Sequence, residues 1–211
     1  MVRNKRILFL SSLLKGYDTA LDMGSDHGYV LEEAFKKGYI KKGITSDVRE
    51  MPLQQSLKTL KNYPVQGILS DGFLAINESF DACVIAGMGA YLISDIMTHA
   101  PLHDAIYILQ PNDKYAHLRK RLEGLNFKIV DEYIVYDKFY YIIMKVERGV
   151  MHLTEEDLIL GPYLKDKQEA LPYYQKRLNL LEHIMNQADD IRKNELQQEY
   201  HVLCQKLKKR D

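Results

Sequence analysis

Residues 20–30 read ALDMGSDHGYV. Apolar residues lead into a turn that holds two acids, a serine, a histidine and two glycines, spaced Asp22-x-Gly24-x-Asp26-x-Gly28. Gly24 suits a tight turn and Gly28 the close approach of a following helix. The spacing differs from the G-x-G-x-x-G of a dinucleotide loop, because Asp26 stands where such a loop carries glycine. An anion there repels a pyrophosphate and attracts a cation. S-adenosylmethionine has an ammonium and a sulfonium group and no phosphate, so the acids favour that cofactor over NAD. Asp22, Gly24, Ser25, Asp26 and His27 are therefore candidate cofactor-binding residues. A plain β–α turn with an Asp cap needs fewer of these groups.

Similar signals stand at the ends of later apolar runs. Asp47 follows the glycine loop by about 20 residues, where an acid accepts hydrogen bonds from ribose hydroxyls. Asp47 and Val48 join the cofactor set. In SDGF (70–73), Asp71 can accept from an adenine amine, and Gly72 allows a flat approach to the ring. An ordinary Asp-Gly turn explains the same pair. The glycine pair of AGMGA (86–90) leaves room for a ligand beside Gly87 and Met88. In LQPN (109–112), Gln110 and Asn112 are amides able to read a base edge, and a capped turn is the plainer alternative.

The elements that position these residues follow from the patterning. Strands are expected at 19–23, 43–48, 67–71, 81–87, 105–110, 128–136 and 139–147, with helices near 28–37, 51–62, 89–98 and 113–125. Alternation of strand and helix implies right-handed crossovers and a mostly parallel sheet, with ligands outside the strands' carboxyl ends. Only Asp137 and Lys138 separate the last two strands, so these must pair as an antiparallel hairpin. Past residue 150 the strand signal ends. Leu171, Tyr174, Leu178, Leu181, Met185 and Ala188 form a heptad seam. Leu196, Tyr200, Leu203 and Leu207 repeat it after the polar break DDIRKN (189–194). Two helices of ~18 residues, each ~27 Å long, form an antiparallel coiled-coil hairpin, serving as a packing arm, a dimer seam or a substrate grip. The expected domains are 1–150 and 151–211.

The chain has 211 residues, is 46% apolar and carries a formal charge of zero, so RNA binding needs a local basic patch. Cys83 and Cys204 stand far from ligand-spaced partners, which speaks against a metal site. No apolar run approaches a membrane span. The basic, apolar N-terminus lacks a signal-peptide cleavage site, and Ile7, Leu10, Leu13 and Leu14 share a helical face. A cytoplasmic protein is expected.

DMGSDHGYV, IAGMGA, LQPN and GPYL followed by a helical hairpin, in that order and spacing, closely resemble the bacterial tRNA (adenine(22)-N1)-methyltransferases. The resemblance runs from about residue 3 to the C-terminus. It implies a Rossmann-like class I methyltransferase domain with a seven-stranded, mostly parallel sheet, a C-terminal coiled-coil hairpin, S-adenosylmethionine as cofactor and tRNA as partner. The family more usually has Ala at Gly28, often Glu at Asp47, and Gly at Ala90.

Adenine N1 carries an in-plane lone pair and can attack a methyl group without first losing a proton. Catalysis is then positioning and electrostatics. Asp26 is the candidate catalytic residue, stabilising charge on the ring, with His27 and Tyr29 shaping or stacking on a flipped base. Arg3, Lys5, Arg6 and Lys15 on the first helix, and the tail Lys208-Lys209-Arg210, are candidates for holding the RNA backbone. A monomer is favoured. Methylation of another nucleobase or a small molecule, and a non-catalytic RNA-binding module, are the alternatives.

Overall fold

The computed structural model describes residues 4–25 and 27–208. Contacts divide the chain into two units at Met151/His152.

The first unit is a seven-stranded sheet flanked by helices: β1 (Thr19–Met23), β2 (Lys42–Asp47), β3 (Val65–Leu69), β4 (Ala82–Met88), β5 (Ile106–Pro111), β6 (Phe127–Asp137) and β7 (Phe139–Arg148). The order is β3-β2-β1-β4-β5-β7-β6. β1 to β5 are parallel, and β7 lies antiparallel between β5 and β6. Central strands buried on both faces are continuous apolar runs, as in Ala82–Ile85, rather than alternating ones. The helices are α1 (Lys5–Ser12), α2 (Tyr29–Lys36), α3 (Glu50–Thr59), α4 (Ala90–Thr98) and α5 (Tyr115–Gly124). Asn4 caps α1, its side chain accepting from Ile7 N at 2.9 Å. Leu10 and Leu14 are fully buried in a core with Leu31, Val84, Ile108 and Ile143, so the apolar start of the chain is a docked helix face.

Sequence order reverses between β1 and β4. β1 to β3 run outward one way and β4 and β5 the other, which opens a crevice at the carboxyl ends of β1 and β4. The turn between β6 and β7 is shorter than the sequence implies. Asp137 still pairs with Phe139, and Lys138 alone makes the reversal at φ 64°.

The second unit holds α6 (Glu155–Leu160), α7 (Leu171–Gln187) and α8 (Asp190–Lys208). α6 carries a capping box between Thr154 and Asp157, and Tyr174 Oη donates to Leu160 O at 2.7 Å. α7 and α8 pack together: Tyr174, Leu178, Leu181, Leu196 and Leu203 are buried, and Arg177 forks onto Glu199 at 2.6 and 2.7 Å. The polar DDIRKN is not a connecting loop. Asp189 Oδ1 accepts from Arg192 N at 2.8 Å, and Asp190 onward is already helix. A capping Asp followed by charged first-turn residues starts a helix as readily as it interrupts one. Among the described residues no helix is long and apolar enough to cross a membrane.

Candidate active site at the carboxyl edge of the sheet

Asp22 is the penultimate residue of β1, in register with Thr45 of β2 and Val84 of β4. It is 5% exposed. Burial raises its carboxyl from 3.8 to about 7, against a hydrogen bond from Ser25 that lowers it. Among the described residues no cation neutralises it. The same burial, with the charge of Asp22, pushes the Cys83 thiol well up.

The loop after β1 is held by the end of β2. Gly24 N and Ser25 N donate to Ser46 O at 2.8 and 3.3 Å. Gly24 lies at φ 70°, and a Cβ there would collide with the Met88 methyl group at the end of β4. Glycine thus lets the β1 loop and β4 close on one another. Ser25 Oγ accepts from Gly28 N at 3.0 Å, closing the turn onto α2. His27 is exposed and stacks on Tyr29, with ring centroids 5.0 Å apart and 16° between planes. Asp26, the candidate catalytic acid, lies outside the described residues, as do Arg3, Lys209 and Arg210.

Asp47 ends β2 and is 6% exposed; its Oδ1 accepts from Arg49 N at 2.9 Å, with Arg49 Nε 3.8 Å away. Val48 beside it is 60% exposed. Asp71 is exposed past β3, and its carbonyl closes a turn onto Leu74 N. A Cβ on Gly72 would lie 3.3 Å from Ile96 of α4, so that glycine serves helix packing as well as the turn.

The end of β4 carries Gly87 and Met88, with a register shift against β5 between Ala86 and Met88. Asn112 spans it: its N–H donates to Met88 O and its Nδ2 to Gly87 O, both at 2.8 Å. Asn112 is otherwise exposed. Gln110 is placed differently from a base-reading amide. It is fully buried; its Oε1 accepts from Arg6 Nη1 at 2.9 Å and its Nε2 donates to Pro111 O at 2.8 Å. Arg6 likewise is not one of a row of solvated cations. It is half-buried, with its guanidinium 5.0 Å over the Tyr141 ring and Nη1 3.5 Å from the position of a Gly87 Cβ. Lys5, Lys15 and Lys208 are exposed.

The structure therefore gathers Asp22, Gly24, Ser25, Asp47, Gly87 and Met88 at one edge, with Asn112, Gln110 and Arg6 beside them. Two supports went unread in the sequence. Ser46 supplies the carbonyl that holds the loop, and Ser56 of α3 bonds Thr45 Oγ1 at 2.7 Å and lies 3.4 Å from Ser25 Oγ. A serine inside a helix carries no local signal for this; it acts only because α3 packs on β2.

An open α/β sheet whose ligand crevice lies at the strand-order reversal, with an acid at the end of each of the first two strands, defines a Rossmann-like cofactor-binding domain. The family model of tRNA (adenine(22)-N(1))-methyltransferases (TrmK) matches residues 20–211. A Mycoplasma pneumoniae protein with a provisional tRNA methyltransferase name is 33% identical over 164 residues, 72% of this chain and 77% of the relative. The tRNA (adenine(22)-N(1))-methyltransferase of Bacillus subtilis is 24% identical over 205 residues, 89% of this chain and 85% of that one. A Streptococcus pneumoniae protein provisionally named a tRNA (m1A22) methyltransferase, solved with S-adenosyl-L-methionine, superposes with a TM-score of 0.85 at 30% identity. The superposition covers 98% of this chain and 100% of that one. The chain belongs to the tRNA (adenine(22)-N(1))-methyltransferase family.

Proposed function

We propose that this chain methylates N1 of adenine 22 in tRNA, with S-adenosylmethionine as donor and with the carboxyl edge of β1, β2 and β4 as its active site. The observation that carries the reading is the pair of buried acids ending adjacent strands, Asp22 without a cationic partner among the described residues and Asp47 beside it. Their chemistry fits a ligand with a cationic end and a ribose diol. S-adenosylmethionine supplies, when bound, a methyl group on a positively charged sulfur. Asp22, with Ser25 and the Gly24 backbone, holds the cationic end. Asp47 and Val48 receive the ribose, while Asp71 and Gly72 border the adenine. Met88 and Gly87 line the side facing the acceptor.

The acceptor base is an N1 nucleophile, so no protein base is needed to activate it. Asp26, between Ser25 and His27 in the sequence, stabilises the positive charge that the adenine ring gains. Tyr29 and His27 present a stacked pair of rings to an extruded base. Asn112 lies at the acceptor side, and Gln110 acts by holding Arg6. One chain carries every residue of this site, and the working unit is a monomer acting where tRNA is processed, in the cytoplasm. Calorimetric titration with S-adenosylmethionine tests the cofactor half directly. Asp47→Ala should weaken binding by on the order of 1.5–3 kcal/mol, the loss of a charge-assisted hydrogen bond. Wild-type affinity in that variant removes Asp47 from the site.

A further inference from the structure

The β6–β7 hairpin rises above the edge at which the site lies. β7 pairs with β5 from Tyr107↔Val146 to Leu109↔Met144, and β5 ends at Pro111. Continued in register, Pro111 stands opposite Ile142, which leaves Phe139, Tyr140 and Tyr141 beyond the end of β5, an overhang of about 10 Å. This overhang is rich in aromatic residues. Phe139 is 64% and Tyr136 56% exposed, and Tyr136 pairs with Tyr140 at 4.9 Å between ring centroids. The exposed Lys138 forms the reversal between them. One exposed aromatic is ordinary on a protein surface. Tyr136 and Tyr140 stand opposite one another in the ladder and share one face, so Phe139 shares the other face with Tyr141. An exposed ring there beside Tyr141, with a cation on a one-residue turn, exceeds what closing a hairpin needs.

The tip is anchored and continuous with the site. Asp137 Oδ2 accepts from Lys5 N at 2.8 Å, tying the start of α1 to the tip and engaging the tip's acid. On the face that carries Phe139 and Tyr141, Arg6 lies over the Tyr141 ring and bonds Gln110 beside Gly87. The Arg6 Nε is buried and has no hydrogen-bond partner, and among the described residues no carboxylate forms an ion pair with the guanidinium. Its described partners are a neutral amide and a ring, so among the described residues the charge of the guanidinium is not neutralised.

We propose that the Phe139 face of this overhang is a stacking platform for unpaired bases of the substrate RNA next to the target adenine, with Arg6, over Tyr141 on the same face, taking a phosphate of the same strand. Aromatic faces interleaved with cations fit single-stranded nucleic acid: bases stack irrespective of identity and the cations track the backbone. An adenine extruded from a folded tRNA leaves its neighbours unpaired, and the platform gives them a place to stack. The proposal rests on the tRNA methyltransferase reading of the site.

Steady-state methylation of tRNA, with cofactor affinity measured alongside, tests it. Phe139→Ala should raise KM for tRNA by about fivefold or more, the low end of losing one base stack, while cofactor affinity stays at the wild-type value. Phe139→Trp should keep a near-wild-type KM, and Phe139→Leu, apolar without a π face, should behave like the alanine variant. Phe139 is largely exposed, so these changes leave the core intact; Tyr136→Ala, on the opposite face of the hairpin, should keep a near-wild-type KM. Unchanged KM in Phe139→Ala overturns the platform. So does a leucine variant as good as tryptophan, or an effect confined to oligomeric state, which assigns the tip to protein contact. Absence of methylation by the wild-type protein instead sinks the underlying reading, a result that the variants cannot imitate.

Discussion

At the scale of single residues, charge decides the site. Asp22 is buried with a carboxyl raised to about 7. In the unfolded chain it ionises near 3.8, so below that pH it adds no cost to folding. As pH rises from there through 7 the unfolded chain releases its proton first and stability falls, by on the order of 4 kcal/mol at full ionisation. Asp22→Asn should thus stabilise the ligand-free protein at pH 8, and thermal melts should show that gain disappearing near pH 4. A cationic ligand favours the ionised form, so wild-type affinity for S-adenosylmethionine should rise between about pH 6 and about 7.5, and the asparagine variant should lose that rise. Asp26 makes a different prediction. Asp26→Asn should slow single-turnover methylation by roughly 10²-fold or more at saturating cofactor and tRNA, the scale of losing one electrostatic group. A near-wild-type rate reached only at raised cofactor would make it a binding residue. The acids and glycines of the first loop stood out in the sequence because so many of them crowd one turn after a buried strand, more than a capped turn needs. Gln110 and Arg6 were legible as polar residues only: nothing local in LQPN or in the first helix shows that they bond to one another across 104 positions.

At the scale of elements, most of the fold could be read, because strand–helix alternation and short connections leave few topologies. β1 begins and ends where the pattern TALDM does. The other strand boundaries moved by at most two residues, as ends set by pairing do, and the end of α3 by three; β3 starts at Val65 because it pairs with Gly43 of β2. The six-residue α6 has too few positions to show a period, and its Thr154–Asp157 capping box was its one local signal. DDIRKN misled because capping residues and loop residues are the same types. The helices after Met151 share an apolar seam of their own. Truncation after Met151 should leave a folded domain that binds S-adenosylmethionine with little tRNA methylation. Full activity of the truncated protein would make the helices dispensable to catalysis.

At the scale of the whole molecule, a chain of zero net charge cannot draw in RNA by a broad field. Recognition must come from local features around the edge where the chemistry occurs, and the overhanging hairpin and Arg6 are such features. Methyl transfer to N1 of adenine 22 in tRNA is tested most directly by mass spectrometry of nucleosides from tRNA incubated with the protein and S-adenosylmethionine. 1-Methyladenosine should appear at position 22 and be absent when that adenine is replaced by guanine. Unmodified tRNA in the presence of bound cofactor, or methylation that persists in the guanine-substituted tRNA, would contradict that methyl transfer.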